Sequence, residues 1–191
     1  MSIREKIFKI MFPDYYTHYK FLEHLVSLKN EGSEEKEKII YKERYKDVFE
    51  AIERDEVEVI AISKNKVDEW VIVTKWVTDT YVWIKLYSPT YLTCNHHPRI
   101  MSSICCDYSK NEKYIKIDDI LMEDNNIGNG TICMEYFIRE SKSMNYSFIK
   151  GTLSSVDKDH FDRSIHYYEK FGFDVVLNDD KSCGNIKLYL K

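Results

Sequence analysis

Residues 114–130, YIKIDDILMEDNNIGNG, restrict the fold more than any other stretch of this chain. Ile115 and Ile117 alternate along one side of a strand-like run, and Ile120, Leu121 and Met122 continue it. Gly128 and Gly130 then bracket Asn129, and TICMEYFI follows at helical spacing. Glycine permits φ > 0 and lets another group approach without meeting a Cβ. A helix that starts there leaves its first amides outside its own hydrogen bonding and exposes the positive end of its dipole, which suits a phosphate.

At 191 residues the chain is long enough for one domain, or one domain with an extension. A net charge of −4 with no long run of one sign argues against wholesale electrostatic binding to nucleic acid. The apolar runs are too short for a membrane-spanning helix, and MSIREKIFKIMFPDYY lacks the apolar core of a signal peptide. A cytoplasmic location is the expectation. In that compartment the five cysteines, Cys94, Cys105, Cys106, Cys133 and Cys183, read as free thiols. Cys105 and Cys106 would alternate faces on a strand, so at least one belongs to the core. Cys94, His96, His97, Cys105 and Cys106 lack the paired spacings of zinc modules, and no metal is expected. No Walker loop, nucleophile elbow or full dinucleotide fingerprint occurs.

Helical patterning covers 3–29, broken at Phe12-Pro13-Asp14, and 34–55, where Tyr45, Val48, Phe49 and Ile52 oppose a charged face. From residue 56 the period changes to two. Strands are expected near 57–62, 69–77 and 81–87, with 99–106 either a fourth strand or a short helix. Helix 130–143, strand 146–153, helix 159–171 and strands 173–177 and 184–190 complete the pattern. The expected fold is α/β, with a mixed, mostly antiparallel central sheet flanked by helices. Residues 1–56 form a helical segment that is part of the domain or packs on it, and 57–191 form the main body.

The second informative segment is HFDRSIHYYEKFGF, residues 160–173, in which Gly172 supplies a left-handed helix stop. Strand, GxG loop, helix, strand and a helix ending in Tyr-Tyr-Glu-Lys-Phe-Gly-Phe together resemble the GCN5-related N-acetyltransferase family. The resemblance covers about residues 110–190. It extends to the G-x-L-S-x-x-D run at Gly151, Leu153, Ser154 and Asp157.

The resemblance implies an acyl-CoA N-acyltransferase fold and acetyl-coenzyme A as cosubstrate. The family's phosphate loop corresponds to Asn125, Asn126, Ile127, Gly128, Asn129 and Gly130, with Thr131 following. The main chain around Leu121 and Met122 would pair with the pantetheine arm. Tyr168 falls where many members place the tyrosine that protonates the departing thiolate, a sensible role for a phenol of pKa about 10. Tyr167 is read as structural. Attack by a neutral primary amine requires a base, and Asp118, Asp119 and Glu123 are the candidates. By period two, Asp118 and Asp119 face opposite sides of the sheet. Two positions depart from the family pattern: Asn125 replaces a glutamine or arginine, and Phe161 stands where asparagine is frequent. They motivate the alternative of a coenzyme-binding or interaction module without catalysis. The implied partners are an amine-bearing small molecule or peptide, with no nucleic acid and no membrane. Pairing of exposed strand edges would give a homodimer.

Overall fold

The computed structural model describes residues 35–91, 102–109, 111–122 and 126–191. In chain order these form α1 (Glu35–Arg54), β1 (Glu58–Lys64), β2 (Trp70–Val77), β3 (Tyr81–Tyr87), β4 (Ser102–Ser109) and β5 (Tyr114–Met122). They continue with α2 (Asn129–Ser143), β6 (Phe148–Leu153), α3 (Phe161–Lys170), β7 (Asp174–Leu177) and β8 (Gly184–Tyr189). The strands make an eight-stranded sheet in the order β1-β2-β3-β4-β5-β6-β8-β7. β5 and β6 run parallel, whereas β1–β2, β3–β4, β4–β5, β6–β8 and β7–β8 are antiparallel. This is the mixed, mostly antiparallel sheet that the periodicity predicts. The ambiguous stretch is a strand from residue 102, and the helical pattern over 3–29 lies outside the described residues.

One expectation needs correction. The helix predicted from residue 159 begins as a 3-10 segment, Ser155–His160, and becomes α-helical only at Phe161. The Ser154 hydroxyl accepts from the Val156 amide at 3.3 Å, and that cap starts the tighter turn.

By internal contacts the described residues divide into two compact units, those within 1–75 and 87–99 and those within 76–86 and 100–191. In the first, Tyr45, Val48, Phe49 and Ile52 recur along one helical stripe and are buried with Ala51, Ile72 and Tyr87. The Tyr45 hydroxyl donates to the Trp70 carbonyl at 2.9 Å, and that of Tyr87 donates to Asp55 at 2.8 Å. Burial, followed by the hydrogen bond to Asp55, pushes the Tyr87 phenol up. Buried tyrosines in this unit thus keep their polar ends satisfied.

In the second unit Ile115, Ile117, Ile149 and Ile186 are buried, as are Ile132, Cys133, Met134 and Phe137 of α2. α2 packs on β4 and β5. A Cβ at Gly184 would stand 2.7 Å from Leu177 Cδ2 and 3.0 Å from the Val176 carbonyl oxygen. The second neighbour is backbone and cannot swing away. Gly184→Ala is therefore expected to destabilise the protein by about 1–3 kcal/mol, or a Tm drop of roughly 2–10 °C, measured by thermal unfolding.

Candidate functional site

β5 is paired unequally on its two sides. Against β4 the register runs from Tyr114↔Ser109 to Met122↔Ser102, the full strand. Against β6 it runs only from Tyr114↔Phe148 to Ile117↔Gly151. Residues 118–122 therefore extend past the last β6 pair, and one main-chain edge of β5 lies outside the ladder there. Backbone N–H and C=O groups need partners, and an extended arm that carries amides can supply them as an added strand. Leu121 is half exposed on this stretch and Met122 is partly buried.

The acidic pair sits at the start of the same stretch. The register shifts between Cys105 and Cys106: Cys105 faces Asp119, whereas Cys106 faces Ile117. Asp118 is thus the extra residue of a β-bulge. Strict alternation would send the two carboxylates to opposite faces. The bulge interrupts that alternation, and both residues are exposed. Burial first, then the nearby Asp118 and Asp119 carboxylates, raise the Cys105 thiol pKa. Asp118 accepts from Lys116 Nζ at 2.6 Å. Cys106 is fully buried, as the alternation of the cysteine pair requires. Glu123 and Asn125 lie outside the described residues.

The loop that follows turns sharply. Asn126 has φ of 69° and Gly128 has φ of 94° and ψ of −4°, both left-handed. Ile127 is partly buried, and Asn129 is completely buried. The first hydrogen bond of α2 runs from the Ile132 amide to the Gly128 carbonyl at 3.1 Å, so the Gly130 and Thr131 amides precede the helix's own ladder. The N-cap, Gly128, has no side chain to cap this end, and the first turn carries no acidic residue. The positive end of the helix dipole is accordingly not neutralised from within the turn. The two glycines serve different purposes. Gly128 is needed for its positive φ. At Gly130 a Cβ would stand 3.3 Å from Met122 Sδ and 3.4 Å from Tyr167 Cε2, so its smallness lets α2 approach both β5 and α3.

α3 meets this turn at two points. The Tyr167 hydroxyl donates to the Gly130 carbonyl at 2.7 Å, and Lys170 Nζ donates to Thr131 Oγ1 at 2.8 Å. Tyr168 is buried, edge-on to Tyr167 at 5.5 Å and to Phe173 at 5.4 Å between ring centroids. Gly172, at φ of 82°, ends the helix as expected, and the Phe173 amide returns to the Tyr168 carbonyl at 3.2 Å. Burial, followed by the nearby Cys133 and Tyr168, pushes the Tyr167 phenol up, which keeps it a donor. The structure thus gathers Gly130 and Thr131 against α3, with Met122 beside Gly130 and Asp118 and Asp119 earlier on Met122's strand. Sequence reasoning missed the contacts of Tyr167 and Lys170. Their spacing of three residues, one helical turn, is the signal that puts them on a common face.

No family model matches the chain. A protein of Bacillus subtilis strain 168, Uncharacterized protein YocC, is 31% identical over 132 residues, which span 69% of this chain and 76% of that protein. Among solved structures, the GNAT domain of S. lividans PAT aligns with a TM-score of 0.52 at 7% identity, over 68% of this chain and 96% of that domain. The ribosomal-protein-S18-alanine N-acetyltransferase of Escherichia coli aligns with a TM-score of 0.44 at 13% identity, over 60% of this chain and 72% of that chain. The S. lividans likeness shows the fold, which is that of the acyl-CoA N-acyltransferases.

Proposed function

We propose that this protein, which belongs to the same family as YocC of Bacillus subtilis, is an acetyl-coenzyme A-dependent N-acetyltransferase that acts on a primary amine. The observation that carries this is the juxtaposition of two open main-chain features. One is the β5 edge that β6 leaves beyond Ile117; the other is the acid-free first turn of α2, whose N-cap is a glycine. The first suits the amides of a pantetheine arm. The second suits its pyrophosphate, because amides and dipole there favour anions. Gly128 supplies the left-handed entry, and Lys170 adds a positive charge at Thr131.

The reaction we assign is direct transfer. The amine nitrogen forms a bond to the thioester carbonyl carbon, the carbon–sulfur bond breaks, and the amine gives up a proton. Of the two carboxylates on β5, Asp118 already accepts from Lys116. We assign the proton to Asp119, directly or through water. Tyr168, buried on α3, is assigned the proton delivered to the sulfur. The acceptor is an amine-bearing small molecule or a peptide.

Free-thiol release from acetyl-coenzyme A, measured over a panel of primary amines with thermal shift in parallel, tests the assignment. A ligand-induced rise in Tm together with amine-dependent thiol release supports it. A rise in Tm with no turnover favours the coenzyme-binding module without catalysis, and no rise with any acyl-coenzyme A overturns both.

A further inference from the structure

We infer that Tyr167 is a positioning residue for the coenzyme, acting through the Gly130–Thr131 peptide; this rests on the coenzyme-binding assignment above. A peptide unit is planar, with its C=O and N–H pointing in opposite directions. A donor that pins the Gly130 oxygen therefore also fixes the direction of the Thr131 N–H. The Tyr167 hydroxyl lies 2.7 Å from that oxygen, 37 residues away in sequence. The Thr131 amide is one of those that precede the first intrahelical bond, made by Ile132.

Three further observations make the tie rigid. The Tyr167 ring closes on Gly130, where a Cβ would meet Cε2 at 3.4 Å. It is braced edge-on by Tyr168 at 5.5 Å and by Phe171 at 5.3 Å. One turn further along α3, Lys170 holds Thr131 by its hydroxyl at 2.8 Å, so a single peptide and its next side chain are gripped from one helix face. Hydrogen bonding to a carbonyl also polarises the peptide and strengthens its N–H as a donor. The tyrosine pair thus divides its work: Tyr167 orients the phosphate-facing amide, and Tyr168 serves the sulfur.

Tyr167→Phe keeps the ring and removes only the donor. With the full chain, the Kd for acetyl-coenzyme A is expected to rise about fivefold to tenfold, the scale of one hydrogen bond. KM should rise in step while kcat stays within about twofold, whereas kcat/KM for S-acetylpantetheine, which has no pyrophosphate, should not change. An unchanged Kd for acetyl-coenzyme A overturns the inference, as does an equal loss with both acyl donors, which would mark a general structural role. If the wild type binds no acetyl-coenzyme A, the coenzyme-binding assignment itself falls and this one falls with it. Should Tyr167→Phe fail to fold, a fluorotyrosine at position 167, which keeps the ring and alters the hydroxyl as a donor, decides: a changed Kd for acetyl-coenzyme A with unchanged kcat/KM for S-acetylpantetheine supports the inference, and an unchanged Kd overturns it.

Discussion

Replacing Tyr168 with phenylalanine is expected to lower kcat for acetyl transfer by about 10²–10³-fold while leaving the Kd for acetyl-coenzyme A nearly unchanged. The reason is local. Phenylalanine retains the edge contacts that the Tyr168 ring makes with Phe173 and Tyr167, so packing survives. What is lost is the hydroxyl proton. Collapse of the tetrahedral adduct would then expel a bare thiolate, a poorer outcome wherever water is excluded. A Tyr168 that serves only the packing of the core would leave kcat per folded molecule unchanged, whatever happens to Tm. Steady-state kinetics with one responsive amine, alongside thermal unfolding, separates the two. The contrast with Tyr167→Phe, for which KM rather than kcat should move, sharpens the comparison.

The second large effect is expected at Gly128. Its φ of 94° lies where a β-branched side chain is a strong outlier. Holding valine there costs about 1–3 kcal/mol, and a loop that relaxes instead carries the Gly130 and Thr131 amides away with it. Gly128→Val should therefore weaken acetyl-coenzyme A binding by up to roughly a hundredfold, at the upper end of that cost. Gly128→Asn, a residue that tolerates the left-handed region, should lose no more than about threefold. Isothermal titration of both variants provides the check. Equal affinity for the valine variant would mean that the loop conformation has no part in binding.

Much of this arrangement was legible because local physics dictates it. Period-two runs became strands, Tyr45, Val48, Phe49 and Ile52 formed the buried stripe of α1, and Gly172 ended α3 in the left-handed region. Gly128 was legible for the same reason. The bulge at Asp118 was not, because it is set by how β4 and β5 fall into register, with Cys105 and Cys106 a strand away. The purpose of Gly130 was only half legible. Its freedom from a Cβ serves packing against Met122 and Tyr167, a meeting of three separate elements. Nor was the grip of Tyr167 and Lys170 on α2 legible, since those partners lie 37 and 39 residues away. The 3-10 start of α3 was missed because Ser154 was read as part of a family run and not as a cap.

Amide hydrogen exchange, followed by mass spectrometry with and without acetyl-coenzyme A, measures the proposed site most directly. A coenzyme seated along the β5 edge beyond its last β6 pair and on the first turn of α2 would slow exchange at residues 118–122 and 128–132, and little would change in α1, β1 and β2. Exchange at both stretches that is indifferent to acetyl-coenzyme A would contradict a coenzyme site there, as would protection confined to other elements.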